Sequence, residues 1–201
     1  MDHVLRTERL MLRPVTALDL TALVVHWTQP DVRRFLFDDA VMSTDEVSAV
    51  IAESNRDFAS AGYGFWVIQT LARGGGCGTL PGGGALPRGA LPRGGGGALA
   101  GGTLPDGGGV LAGTIGLRLL DDLGPEIVYS LAPGMWGKGY ATEAAGAVVD
   151  YALRTLGLPQ VLAEVDNGNT ASAAVIKRIG LTPFDEVPGL LGPMTRYRKI
   201  R

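Results

Sequence analysis

The sequence predicts a mixed α/β (α+β) domain, a sheet packed between helices. Two observations carry that expectation. Segments of strand and helix periodicity follow one another along the chain, the pattern of a layered sheet-and-helix architecture. Hydrophobic residues make up 46% of the 201 residues and charged residues 19%, which gives one domain the apolar material for a sizeable core and excludes a wholly disordered chain. A third observation concerns what stands apart from that domain. Of 31 glycines, 18 fall among the 41 positions from Arg73 to Gly113, together with four of the chain's 12 prolines.

The elements follow in order. Arg9 to Val15 alternates polar and apolar residues and reads as a strand. Thr16 or Asp19 caps a helix running to about Trp27, with Leu20, Leu23, Val24 and Trp27 on one face. Ser43, with Glu46 three residues on, is a capping box, and Val47, Val50, Ile51, Ser54 and Phe58 mark the buried side of the helix it opens. Phe65 to Gln69 and Val110 to Leu117 are strands flanking the glycine tract, and Pro125 to Leu131 is another. A long helix covers about Ala141 to Leu156, stopped by Gly157. Val161 to Val165 is a strand, Thr170 to Ile179 a helix ended by Gly180, and short strands near 184–187 and 194–200 close the chain.

The glycine tract has similar ends. Residues 70–76 read Thr-Leu-Ala-Arg-Gly-Gly-Gly and residues 103–109 read Thr-Leu-Pro-Asp-Gly-Gly-Gly, an offset of 33. Removing one offset leaves strand, Pro-Asp-Gly turn and strand, so the tract reads as a hairpin turn expanded by duplication of its own sequence. Leu-Pro recurs inside it at irregular spacing, which excludes a solenoid. Residues 73–109 are therefore expected to be a disordered Gly/Pro-rich insertion.

Several function classes drop out. A net charge of −2 gives no basic face for general nucleic-acid binding. The single cysteine, Cys77, forms neither an internal disulfide nor a zinc cluster. Two histidines, His3 and His26, leave little for a metal site or a Ser-His-Asp triad. No window reaches about 18 apolar residues, and the N-terminus lacks a signal-peptide segment; a cytoplasmic location without a membrane partner is expected.

The most informative segment is Pro133-Gly134-Met135-Trp136-Gly137-Lys138-Gly139-Tyr140-Ala141-Thr142-Glu143-Ala144. A strand ends, glycines fall at alternate positions, and a helix begins. Free N–H groups at a helix start attract a phosphate, and Lys138 adds positive charge. Lys138 is followed by Gly139, so this is not a P-loop; Thr142 stands where a dinucleotide fingerprint needs a third glycine. Some thirty residues later comes Asn167-Gly168-Asn169-Thr170-Ala171-Ser172-Ala173-Ala174-Val175-Ile176.

Together these segments resemble the acyl-CoA signature of the GNAT superfamily of N-acetyltransferases. The string Trp136 to Ala144 and the opening Thr7-Glu8-Arg9-Leu10-Met11-Leu12-Arg13-Pro14 are similar to its ribosomal-protein N-acetyltransferase (RimJ/RimL-like) branch. The resemblance covers the chain from about Thr7 onward, except the glycine tract. It implies a GNAT fold: one domain over residues 7–201, with a mostly antiparallel mixed sheet flanked by helices and the insertion in the strand 2–strand 3 hairpin.

It also implies roles. The family pattern falls on Trp136, Gly139 and Ala141, and the amides of Gly137, Lys138, Gly139, Tyr140, Ala141 and Thr142 hold the pyrophosphate of acetyl-CoA. Leu131 pairs its main chain with the pantetheine arm, and Asn169 and Ser172 contact the cosubstrate. Many relatives carry a tyrosine acid seven residues after the asparagine; Ile176 stands there, which excludes a phenol at that place. Ser172 is then the candidate acid and Glu126, on the strand facing the cleft, the candidate base. The expected activity is transfer of acetyl from acetyl-CoA to a primary amine, of a protein N-terminus or a small molecule, by direct attack in a ternary complex. The competing reading is a non-catalytic acyl-CoA sensor. Neither metal nor DNA is expected, and the protein is expected as a monomer or homodimer. Deleting about 33 residues between Leu71 and Leu104 is expected to leave melting and coenzyme A binding unchanged; losing either makes the tract structural.

Overall fold

The computed structural model describes residues 3–71, 110–190 and 192–201. The tract expected to be disordered, with Cys77, lies outside them. Among the described residues eight strands form one sheet: β1 (Leu5–Arg6), β2 (Leu10–Pro14), β3 (Phe65–Thr70), β4 (Leu111–Leu120), β5 (Gly124–Leu131), β6 (Gln160–Asp166), β7 (Thr182–Gly189) and β8 (Gly192–Ile200). Their spatial order is β1-β2-β3-β4-β5-β6-β8-β7. Every neighbouring pair is antiparallel except β5 and β6, so the sheet is the mostly antiparallel one expected. The two-residue β1, too short to show a period, went unread in the sequence.

β3 and β4 pair with each other on either side of the glycine tract, from Phe65↔Gly116 to Gln69↔Leu111. Phe65 through Gln69 are all buried, because helices cover both faces of these central strands. Trp66 and Ile68 face a core shared with Ala144, Val148 and Ile176, whereas Phe65 and Val67 face Leu23, Trp27, Val47 and Ile51.

The helices are α1 (Leu20–Trp27), α2 (Pro30–Arg33), α3 (Thr44–Ala61), α4 (Tyr140–Asp150) and α5 (Thr170–Arg178). At α3 the capping box forms as read: Ser43 Oγ accepts from Glu46 N, and Glu46 Oε2 accepts from Ser43 N at 2.7 Å. Ahead of α1 the cap goes further than the motif implied. Asp19, fully buried, accepts from Thr16 N, Thr16 Oγ1 and both Arg13 terminal nitrogens at 2.6–2.9 Å. Burial raises its carboxyl, but these hydrogen bonds and the guanidinium outweigh it and hold the group below its ordinary value.

The long helix read to Leu156 is α-helical only to Asp150. It then widens into a π-helical turn over Tyr151–Thr155, where Leu156 N bonds to Tyr151 O. That turn seats Tyr151, whose hydroxyl donates to Gly62 O and whose ring meets Trp66 edge-on. A wider turn is set by these tertiary contacts, so periodicity alone does not show it. No described helix is long and apolar enough to cross a membrane.

Candidate active site

β5 is paired to β4 along its length, from Gly124↔Leu120 to Leu131↔Gly113, and β6 is paired to β8 from Gln160 to Asp166. Toward each other the two strands share one register position, Glu126 opposite Leu162. Beyond it they part, and a cleft of about 1300 Å³ opens between them. Glu126 to Leu131 line one wall and Ala163 to Asp166 the other; the starts of α4 and α5 and the segment 31–37 complete it. Parted strands leave backbone N–H and C=O groups of β5 without a sheet partner, the kind of edge to which an extended ligand adds itself.

The start of α4 faces this cleft. Gly137 and Gly139 take left-handed backbone, φ +70° and +79°, which any side chain would strain. Gly139 stands at the N-cap position with no side-chain hydrogen bond supplied there, so the first-turn amides lack the usual capping acceptor. The loop is fixed from behind by the chain's opening motif. Glu143 Oε1 accepts from Thr7 Oγ1 (2.6 Å) and Arg9 N (2.9 Å), Glu143 Oε2 accepts from Arg9 Nε (2.7 Å), and Arg9 also donates to Lys138 O. The Arg9 guanidinium covers the Tyr140 ring. Burial raises the Glu143 carboxyl, but hydrogen bonds from Thr7 and Arg9 prevail and keep it below its ordinary value. Two sequence motifs read separately thus meet as one anchor.

At the start of α5, Asn169 Oδ1 caps the helix by accepting from Ser172 N at 3.0 Å. Ser172 Oγ lies 2.6 Å from the Tyr129 hydroxyl, which also donates to Ser172 O. Burial pushes the Tyr129 phenol up to about 12, the Ser172 contact opposing only in part. The sequence excluded a phenol at Ile176, and Ile176 is indeed a core residue, 1% exposed. A phenol nonetheless reaches this helix from across the cleft. The strand pattern alone does not assign Tyr129 a role, because which face a strand residue shows depends on bulges that sequence does not reveal.

Glu126 is 2% exposed and bound to Arg118 Nε at 2.7 Å. Burial raises its carboxyl, and Arg118 only partly offsets that; the neighbouring Glu164 carboxylate adds to the rise.

The structure brings Glu126, Leu131, Trp136, Gly137, Gly139, Tyr140, Ala141, Thr142, Asn169 and Ser172 to one cleft. Lys138 is exposed and off its lining, with Nζ 3.9 Å from Met135 Sδ. The Leu131 carbonyl already accepts from Trp136 Nε1 at 2.8 Å, so its expected partnership with a ligand uses the remaining lone pair or the N–H. Among the aromatics, Trp27, Phe65 and Trp66 are core, whereas Phe35 and Phe37 line the cleft. Phe37 does so with φ +54°, an uncommon conformation for a bulky residue.

A family model described as the acetyltransferase (GNAT) domain matches residues 9–182. An uncharacterized N-acetyltransferase of Bacillus licheniformis, p20, is 23% identical over 183 residues, 88% of this chain and 81% of that protein. The crystal structure of an acetyltransferase from Agrobacterium tumefaciens has a TM-score of 0.71 at 25% identity, covering 98% of this chain and 94% of that one. RimL, a ribosomal alpha-N-protein acetyltransferase solved with coenzyme A, has a TM-score of 0.68 at 15% identity, covering 98% and 97%.

Replacing Glu143 by Ala is expected to lower the melting temperature by about 4–8 °C, the effect of roughly 2 kcal/mol in a chain of this size. Coenzyme A affinity should fall about tenfold by calorimetry; a folded variant with unchanged affinity contradicts the anchoring role.

Proposed function

The chain belongs to the acetyltransferase (GNAT) family and is an acetyl-CoA-dependent N-acetyltransferase, and from that premise we propose how its cleft works and on what. Acetyl-CoA lies with its pyrophosphate on the start of α4 and its pantetheine arm along the open edge of β5. The observation that carries this placement is the parting of β5 and β6 beyond Glu126, directly before the left-handed loop at Gly137 and Gly139. Asn169, whose Oδ1 is taken by the helix cap, offers its amide N–H groups to the cosubstrate.

The acceptor is a primary amine, of a protein N-terminus or a small molecule, entering on the side of Phe35, Phe37 and the exposed Leu190. It attacks the thioester carbonyl directly in a ternary complex: the N–C bond forms, the C–S bond breaks, and the nitrogen gives up a proton. Glu126 receives that proton, directly or through a water, and its raised carboxyl makes it a better base than an ordinary glutamate. Ser172 meets the leaving sulfur. When the phenol gives its one proton to Ser172 Oγ, the nearer of its two acceptors, rather than to Ser172 O, the serine hydroxyl turns its own proton toward the thiolate. Burial raises the Tyr129 phenol and so disfavours its ionising beside the leaving thiolate. Tyr129 therefore orients Ser172; Glu126 passes the amine's proton to solvent, and the thiolate takes one from water.

Thiol release and mass spectrometry over a panel of amines and N-terminal peptides test this reading. Acetylated product from at least one amine class is expected; binding of acetyl-CoA without product from any would leave the sensor reading. With a competent amine, the rate should rise with pH along a limb lying above the ordinary glutamate value. The sign follows from the direction of the shift: Glu126 acts deprotonated, so activity is lost as pH falls through its raised pKa. Glu126→Gln should abolish that limb and lower kcat about 100-fold. A Gln variant within about threefold of the wild type excludes Glu126 as the base.

A further inference from the structure

A buried chain of hydrogen bonds runs from α1 through the sheet to the cleft wall, and no step above uses it. Trp27 Nε1 donates to Thr114 Oγ1 at 3.0 Å; Thr114 Oγ1 lies 3.0 Å from Ser130 Oγ; Ser130 Oγ lies 2.9 Å from His26 Nε2. Trp27 is fully buried, and Thr114 and His26 are each 2% exposed. Ser130 sits on β5 next to Tyr129 and lines the cleft.

The direction of the chain follows from what each group can do. An indole N–H only donates, so Thr114 Oγ1 accepts there; in the contact between the two hydroxyls we take Thr114 as the donor and Ser130 Oγ as the acceptor. His26 Nδ1 is buried without a partner. An unpaired N–H is costlier and rarer than an unpaired lone pair, so the proton belongs on Nε2 and His26 donates to Ser130. Burial holds the imidazole down to about 4, and the ring is neutral at physiological pH. Ser130 Oγ thus accepts from two sides, and neither His26 nor Thr114 takes its own proton.

We propose that the Ser130 hydroxyl, turned outward by Thr114 and His26, donates a hydrogen bond to the acyl carbonyl oxygen of bound acetyl-CoA and strengthens it as that oxygen becomes negative. The proposal rests on the acetyl-transfer reading. Tyr129 and Ser130 are adjacent on a strand, so their side chains leave opposite faces. Tyr129 reaches Ser172 and the sulfur; Ser130 comes from the α1 side, where the oxygen on the neighbouring carbon is met. A donor fixed in a buried network needs no reorientation when charge develops, the condition under which such a group lowers a barrier.

The test is infrared difference spectroscopy of acetyl-CoA carrying carbon-13 at the carbonyl, bound to wild type, Ser130→Ala and Ser130→Thr. The bound carbonyl stretch should lie below the free-ligand position in wild type, move back toward it in the Ala protein and stay low in the Thr protein. With a competent amine, Ser130→Ala should lose about 10- to 100-fold in kcat, with the KM values for acetyl-CoA and amine little changed; the melting temperature should fall by about 2–8 °C, because the buried His26 Nε2 and Thr114 Oγ1 lose their partner. An identical carbonyl position in wild type and Ser130→Ala overturns the proposal, as does an effect confined to the amine's KM, which makes Ser130 an acceptor-binding group. A shifted carbonyl without turnover on any amine contradicts the transfer reading and leaves this donor standing. If the wild type does not bind acetyl-CoA, both fall.

Discussion

β5 and β6 run side by side in the same direction yet bond at one register position, Glu126 opposite Leu162. Each is fully occupied on its outer side, β5 by β4 and β6 by β8, so neither can turn to a different neighbour. A main-chain N–H or C=O without a partner costs about 1–3 kcal/mol if it is also cut off from water. The gap therefore has to stay wet or be filled by something presenting donors and acceptors at strand spacing. An extended chain of amides, such as the pantetheine arm, meets that requirement, and an apolar ligand does not.

The remaining parts of the site are arranged around this gap. The start of α4 supplies uncapped amides at its mouth, held there by Glu143 binding back to Thr7 and Arg9. The start of α5 brings Ser172 to Tyr129 from one side of β5, and α1 brings His26 and Trp27 to the network at Ser130 from the other. Glu126, at the point where the strands part, is buried enough for its carboxyl to be raised. Three consecutive strand positions thus serve different purposes: Tyr129 meets Ser172, Ser130 lies on the other face, and Leu131 has its carbonyl held by Trp136.

Much of this was legible because it depends on local chemistry. Alternation in Arg9 to Val15, the box at Ser43 and Glu46, and the glycines before Tyr140 are short-range signals whose physical cause lies within a few residues. The motif positions in the α4 loop, Asn169 and Ser172 were named from resemblance, and they share one cleft apart from Lys138. What stayed hidden depends on distant contacts. Glu143 with Thr7, Tyr129 with Ser172, and His26 with Ser130 are separated by 136, 43 and 104 positions. No periodicity links them; only the folded sheet with its helices does. The π-helical turn at Tyr151 is of the same kind, set by Gly62 and Trp66 rather than by its own sequence.

Residue-resolved hydrogen exchange across Val128 to Leu131 tests the central claim most directly. The amides in that stretch that do not bond to β4 should exchange quickly in the free protein, because no β6 partner protects them. Saturating acetyl-CoA should slow them at least on the order of tenfold, while amides already bonded to β4 change little. Amides protected equally with and without acetyl-CoA would mean that the strands close on each other in solution, and that acetyl-CoA does not lie along β5.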